Sequence, residues 1–210
     1  MKKILYSTPW LLLYSRLAIA LVFLVYAFFP IAAVRDSHII LGLFCFGFIG
    51  DIFDGIIARA LQIDTTLMRR LDSLFDTVFW LITTYLLEEI SKETTLLFYG
   101  IGAVILVVAI EYAVSMIRFS KPPSSHNLLS KFFGLSLFVF YVLLFLGISA
   151  NGFGLFVITF GLVARLDALL IYLVLRKWTH DIPSVYHAFL LRNEKSFSRH
   201  KLFHTVERTC

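Results

Sequence analysis

GDIFDGIIARALQIDTTLMRRLDSLFD, residues 50–76, sets five aspartates and three arginines among isoleucines, leucines and phenylalanines. Asp51 and Asp54 are three residues apart, and Asp72 and Asp76 are four apart. On helices, residues at these spacings share one face, so each pair aims its carboxylates the same way. Four carboxylates from two adjacent helices then converge on one point. An ionised carboxylate in hydrocarbon costs several kcal/mol, and neighbouring carboxylates repel one another. A hard divalent cation with oxygen ligands offsets both terms. The competing reading is a solvated loop in which the aspartates pair with Arg59, Arg69 and Arg70. That reading leaves the shared helical phase of the four aspartates unexplained. Asp64 falls between the two helices and reads as a cap or turn residue.

The rest of the chain makes these carboxylates conspicuous. Of 210 residues, 59% are hydrophobic and only 16% are charged. Mean hydropathy is +0.84. A soluble domain is nearer half apolar, so the composition predicts an integral membrane protein. The net charge of +5 is explained by basic residues at the cytoplasmic ends of membrane spans, and no nucleic-acid partner is expected. Cys45 and Cys210 make neither a disulfide framework nor a metal-type cluster. The opening MKK leads into a long apolar run without a clear small-residue cleavage site, so no cleavable signal peptide is expected.

A crossing helix needs about 20 mostly apolar residues. Four segments qualify readily, at roughly 10–33, 95–117, 130–149 and 153–175. Two more carry charge: one runs from His38 through Cys45 into the aspartates, the other from Asp72 to Leu87. Counting both gives an all-α, six-transmembrane-helix bundle. Lys and Arg distribution supports that count. With the N-terminus inside, Lys2, Lys3, Arg16, Arg59, Arg69, Arg70, Arg118, Lys121, Lys131, Arg176 and Lys177 fall on the inner side. Only Arg35 and Lys92 fall outside. Both termini and the aspartates are then cytoplasmic, in the inner membrane if the source is bacterial. Four spans, with the charged segments on the surface, is the alternative. Residues 1–177 read as the membrane domain and 178–210 as a basic cytoplasmic tail. Within the tail, Val185, Ala188, Phe189 and Leu190 recur at helical spacing, with Asp181 or Ser184 as a cap. An interfacial amphipathic helix or a disordered tail are the two readings.

Gly55 and Ala58 follow Asp54 in the same helix and leave room for a flat group or a phosphate. Arg59 adds a fixed charge suited to phosphate. Small residues also serve plain helix packing.

The stretch resembles the signature of the CDP-alcohol phosphotransferase family, D-x2-D-G-x2-A-R-x8-G-x3-D-x3-D. Asp51, Asp54, Gly55, Ala58, Arg59, Asp72 and Asp76 match in register. The second signature glycine is replaced by Met68. Pro9 and Arg16 match a proline and arginine before and within the family's first span, although Trp10 and Leu13 replace the usual asparagine and threonine. The resemblance implies two divalent ions, Mg²⁺ or Mn²⁺, held by Asp51, Asp54, Asp72 and Asp76. It implies Asp76 as general base, and Gly55, Ala58, Arg59 and position 68 at the nucleotide. The implied reaction moves a phosphatidyl group from CDP-diacylglycerol to a small alcohol and releases CMP. The resemblance also implies a homodimer.

For the acceptor, Glu111, Ser115 and Arg118 share a helical face and are similar to the E-x3-S-x2-R region of phosphatidylglycerophosphate synthases. Arg118 and Lys131 would form an anion pocket for glycerol 3-phosphate. Those synthases continue with G-K-x-K-T, whereas this chain keeps only Lys131, with Phe133 and Gly134 in place of the second lysine and threonine. Arg118 and Lys131 read equally as interfacial anchors. His126 is a further phosphate candidate or a solvated loop residue. Arg165 and Asp167 are charges within the last span, either pairing with neighbouring helices, Glu111 among them, or belonging to the site. Alternatives of function are the same chemistry on inositol phosphate or a second lipid, a divalent-cation transporter, and an inactive CDP-lipid-binding protein.

Overall fold

The computed structural model describes residues 2–29, 37–61, 63, 65–90, 95–123, 128–179 and 182–193. Among these residues there are seven α-helices and no strand. They are α1 (Lys2–Phe28), α2 (Ser37–Ala60), α3 (Thr66–Ile90), α4 (Thr95–Phe119), α5 (Leu128–Phe145), α6 (Asn151–Val174) and α7 (Val185–Arg192).

Four helices contain stretches long and apolar enough to cross a membrane: Ser7–Phe28, His38–Ala58, Phe98–Phe119 and Asn151–Val174. Their outward side chains are largely apolar, as with Leu21, Val25, Leu106 and Leu170. That pattern suits lipid and not water. Two helices differ from the expected division. The helix carrying Asp51 and Asp54 qualifies as a span despite its charges. Conversely, α5 is cut short, with an apolar stretch of only Leu129–Phe145. The cause is local. Gly147 adopts φ +69°, and its N–H donates to the Leu144 carbonyl while the Ile148 N–H donates to Leu143. This is the pair of bonds that closes a helix on a left-handed residue, and glycine takes that conformation without steric cost.

The described chain forms two compact units. One comprises residues 1–95 and 140–150, and so contains α1, α2, α3 and the end of α5. Here α1 packs on both α2 and α3. The core is aromatic: Phe44 stacks on Phe79 at a centroid distance of 5.8 Å, and Phe145 lies 5.3 Å from Phe44. Tyr141 is fully buried, and its hydroxyl meets Thr84 Oγ1 at 2.6 Å, which satisfies a polar group that burial would otherwise penalise. Helices α2 and α3 approach so closely at Gly47 that a Cβ there would sit 2.9 Å from the Phe79 ring.

Between α2 and α3 the chain turns in a few residues. The Ile63 N–H donates to the Ala58 carbonyl. Thr65 then caps α3, its Oγ1 accepting from the Met68 N–H at 3.2 Å. Asp64, expected as the turn residue, lies outside the described residues.

The other unit comprises residues 96–139 and 151–210. Its helices approach at small residues: a Cβ on Gly100 would meet Ile158 of α6, and one on Gly161 would run into the Phe133 ring of α5. Helix α7 lies against α6, with Ala188 and Ile182 buried beside Ile171, Tyr172 and Leu175. The tail segment is thus helical and packed over Val185–Arg192. Val185 and Leu191 complete the packed face, whereas Phe189, expected on it, is half exposed. Ser184 stands at the N-cap without a side-chain cap bond of its own. Instead Asp167 Oδ1, from α6, accepts the Val185 N–H at 3.2 Å. Asp181 lies outside the described residues.

Candidate active site

Helix α2 delivers Asp51 and Asp54 from one face, and α3 delivers Asp72. One carboxylate oxygen from each comes within 4.8 Å of the others. Asp54 is buried, while Asp51 and Asp72 are partly exposed. Asp76 lies one turn further along α3, half-buried, and outside that group of three. Like charges at this spacing repel strongly where water is scarce.

The structure answers that repulsion with an arginine from α1. Arg16 is 1% exposed. Its Nη2 lies 2.6 Å from Asp51 Oδ1 and 2.8 Å from Asp54 Oδ2, and its Nη1 lies 3.1 Å from Asp72 Oδ1. One planar fork therefore joins three helices. Arg16 was expected among basic residues at the inner end of the first span. Its position in the middle of the Ser7–Phe28 span is the signal that points further, because a buried intramembrane charge requires a partner.

The donor set fits a divalent cation. Three carboxylates supply hard oxygens, and the guanidinium already stands among them as a cation. One guanidinium stands against three carboxylates, so the acidic groups outnumber the resident cation and leave room for a divalent one.

Around this centre, Ala58 and Met68 are buried and Gly55 is half-buried. Met68 occupies the first turn of α3, one helical turn before Asp72 and on the same side. The Arg59 side chain lies outside the described residues.

In the other unit, Glu111 and Ser115 are buried on α4. Ser115 Oγ donates to the Lys121 carbonyl at 2.8 Å. Glu111 Oε2 faces Arg165 Nη1 at 4.0 Å, the neighbour expected for that arginine. Arg118 is engaged elsewhere: Nη1 donates to the Tyr172 and Leu173 carbonyls and Nη2 to Leu175. Arg192 adds a bond to the Val174 carbonyl at 3.1 Å. Two arginines thus meet the carbonyls and the negative dipole at the end of α6. Lys131 is exposed. His126 lies outside the described residues.

Fold and site together define a helical, predominantly apolar membrane protein with an acidic centre suited to a metal ion. A family model, CDP-alcohol phosphatidyltransferase, matches residues 6–174, and the chain belongs to that family. Membership makes it a transferase of phospholipid biosynthesis, acting on a CDP-alcohol and an acceptor alcohol. Neither the curated proteins nor the solved structures contain a match to it.

Proposed function

We propose that the protein transfers a phosphatidyl group from CDP-diacylglycerol to the hydroxyl of glycerol 3-phosphate and releases CMP. The observation that carries this reading is the convergence of Asp51, Asp54 and Asp72 from two helices within a chain that matches the family over residues 6–174.

Asp51, Asp54, Asp72 and Asp76 would hold two divalent cations, Mg²⁺ or Mn²⁺. When bound, such ions neutralise diphosphate oxygens and the charge that develops on the departing nucleotide. Asp76 is the general base. It lies one helical turn beyond Asp72 on α3, and its carboxylate takes the proton from the acceptor hydroxyl. The hydroxyl oxygen bonds to the β-phosphorus, the bond from that phosphorus to the bridging oxygen breaks, and CMP leaves with the electron pair. Gly55 and Ala58 make room for the nucleotide, and Arg59 contacts phosphate. Met68 narrows the nucleotide seat where the signature has only hydrogen.

For the acceptor, Glu111, Ser115, Arg118 and Lys131 are the assigned group. Lys131, which is exposed, supplies positive charge for an incoming phosphate. Arg118 would first have to leave the α6 carbonyls.

The chain would cross the membrane six times, with α3 and α5 as the two spans beyond the four long apolar helices. Both termini and the aspartates would then be cytoplasmic. Pairing as a homodimer is part of the same reading.

The test is CMP release by purified protein with Mn²⁺, CDP-diacylglycerol and a panel containing glycerol 3-phosphate, inositol phosphate and a lipid alcohol. Turnover with glycerol 3-phosphate alone supports the assignment. Turnover only with another acceptor moves it within the family, and binding of a CDP ligand without turnover points to an inactive relative. Nucleotide-independent Mn²⁺ flux in proteoliposomes would make the protein a transporter.

A further inference from the structure

Arg16 is more than a partner for one aspartate. It comes from α1, whereas the carboxylates come from α2 and α3, and it engages all three at 2.6–3.1 Å while itself 1% exposed. We propose that Arg16 is a positioning residue: it is the resident counter-charge that holds the three carboxylates together without metal and tempers their affinity for a cation. The inference rests on the metal-centre reading above.

The geometry supports a shared arrangement. Arg16 takes one oxygen from each carboxylate, Oδ1 of Asp51, Oδ2 of Asp54 and Oδ1 of Asp72. A carboxylate has two oxygens, so contact with the guanidinium through one does not bar a second cation. Without the guanidinium, three carboxylates would face one another across 4.8 Å or less, and the folded state would depend on metal to offset their repulsion. A lysine would keep the charge but not the fork, since a single ammonium cannot reproduce two nitrogens facing two helices. A guanidinium beside the ligands also repels an incoming ion. Its removal therefore tightens cation binding even as it loosens the metal-free protein.

A purely structural salt bridge predicts something else. Its loss would lower stability by the same amount with or without metal. The distinguishing quantity is the rise in melting temperature on adding metal, which grows with affinity for the folded state.

The experiment uses the full-length protein in detergent as wild type, Arg16→Met, Arg16→Lys and the double variant Arg16→Met with Asp54→Asn. Each is melted in EDTA and in Mn²⁺, and Mn²⁺ binding is measured on the same samples by electron paramagnetic resonance. In EDTA, Arg16→Met should melt below wild type. Mn²⁺ should raise it at least about 5 °C more than it raises wild type, with Mn²⁺ bound at least about threefold more tightly. Arg16→Lys should fall between, and the double variant should recover part of the EDTA deficit. Equal Mn²⁺ shifts in wild type and Arg16→Met, with both binding Mn²⁺, would overturn the role of Arg16 and leave the metal centre standing. Absence of Mn²⁺ binding in wild type would overturn both. Should Arg16→Met fail to fold, Arg16→Lys carries the same comparison, and a shift equal to wild type overturns the proposal.

Discussion

Arg118 of α4 donates to the Tyr172 carbonyl of α6 at 2.6 Å, across 54 residues of sequence. The same guanidinium also reaches Leu173 and Leu175, so one side chain closes the end of a neighbouring helix. Arg118→Ala should therefore destabilise the protein by about 1–3 kcal/mol, the scale of lost charged hydrogen bonds. Arg118→Lys should recover only part, because a point charge cannot span three carbonyls. Thermal unfolding in detergent, with Lys131→Ala as the comparison, measures this; the exposed Lys131 should change stability little.

The acidic centre makes a sharper demand on activity. Asp51→Asn, Asp54→Asn and Asp72→Asn should each reduce CMP release at least about 100-fold, and so should Asp76→Asn. The variants should differ in metal dependence. Higher Mn²⁺ should restore part of the loss in a ligand variant but should not rescue a missing general base.

Removal of divalent ions with EDTA should abolish CMP release, and Mg²⁺ or Mn²⁺ should restore it. Wild-type protein should remain folded during this treatment because Arg16 offsets part of the carboxylate charge. Circular dichroism alongside the assay separates loss of activity from loss of fold.

Met68 sets stability against access. It is 5% exposed, so Met68→Gly removes a buried side chain and adds glycine to a helix. The expected cost is about 3 kcal/mol or more. If the side chain narrows the nucleotide seat, the same change should lower KM for the CDP-alcohol. Unfolding and steady-state kinetics on one preparation read both effects.

Asp167 holds the start of α7 through the Val185 N–H. Asp167→Ala should release that cap at a cost of about 1 kcal/mol and loosen α7 from α6. Limited trypsin digestion should then cut faster after Arg176 and Lys177, both exposed, while CMP release changes little.

Much of the acidic centre was legible from spacing. Helical phase is a local property, so the three- and four-residue intervals among Asp51, Asp54, Asp72 and Asp76 mark shared faces before any fold is known. Composition likewise marks a chain that places apolar side chains outward. Helix ends were less legible. The short α5 follows from Gly147, whose left-handed conformation depends on the turn it closes. Asp167 was readable as a charge within the last span in want of a partner, but nothing in its neighbourhood identified the backbone of α7.

The sequence by itself thus determined a helical membrane chain and two carboxylate-bearing faces, because periodicity and hydropathy act over a few adjacent residues. Only the tertiary structure decided which charges meet. Arg16 reaches Asp54 across 38 residues and Asp72 across 56, while Arg118 goes to the end of α6. Both arginines look alike in sequence, each a basic residue in an apolar helix. Packing gives the buried Arg16 to carboxylates and the exposed Arg118 to carbonyls, since a guanidinium takes whichever acceptors the neighbouring helices bring within reach.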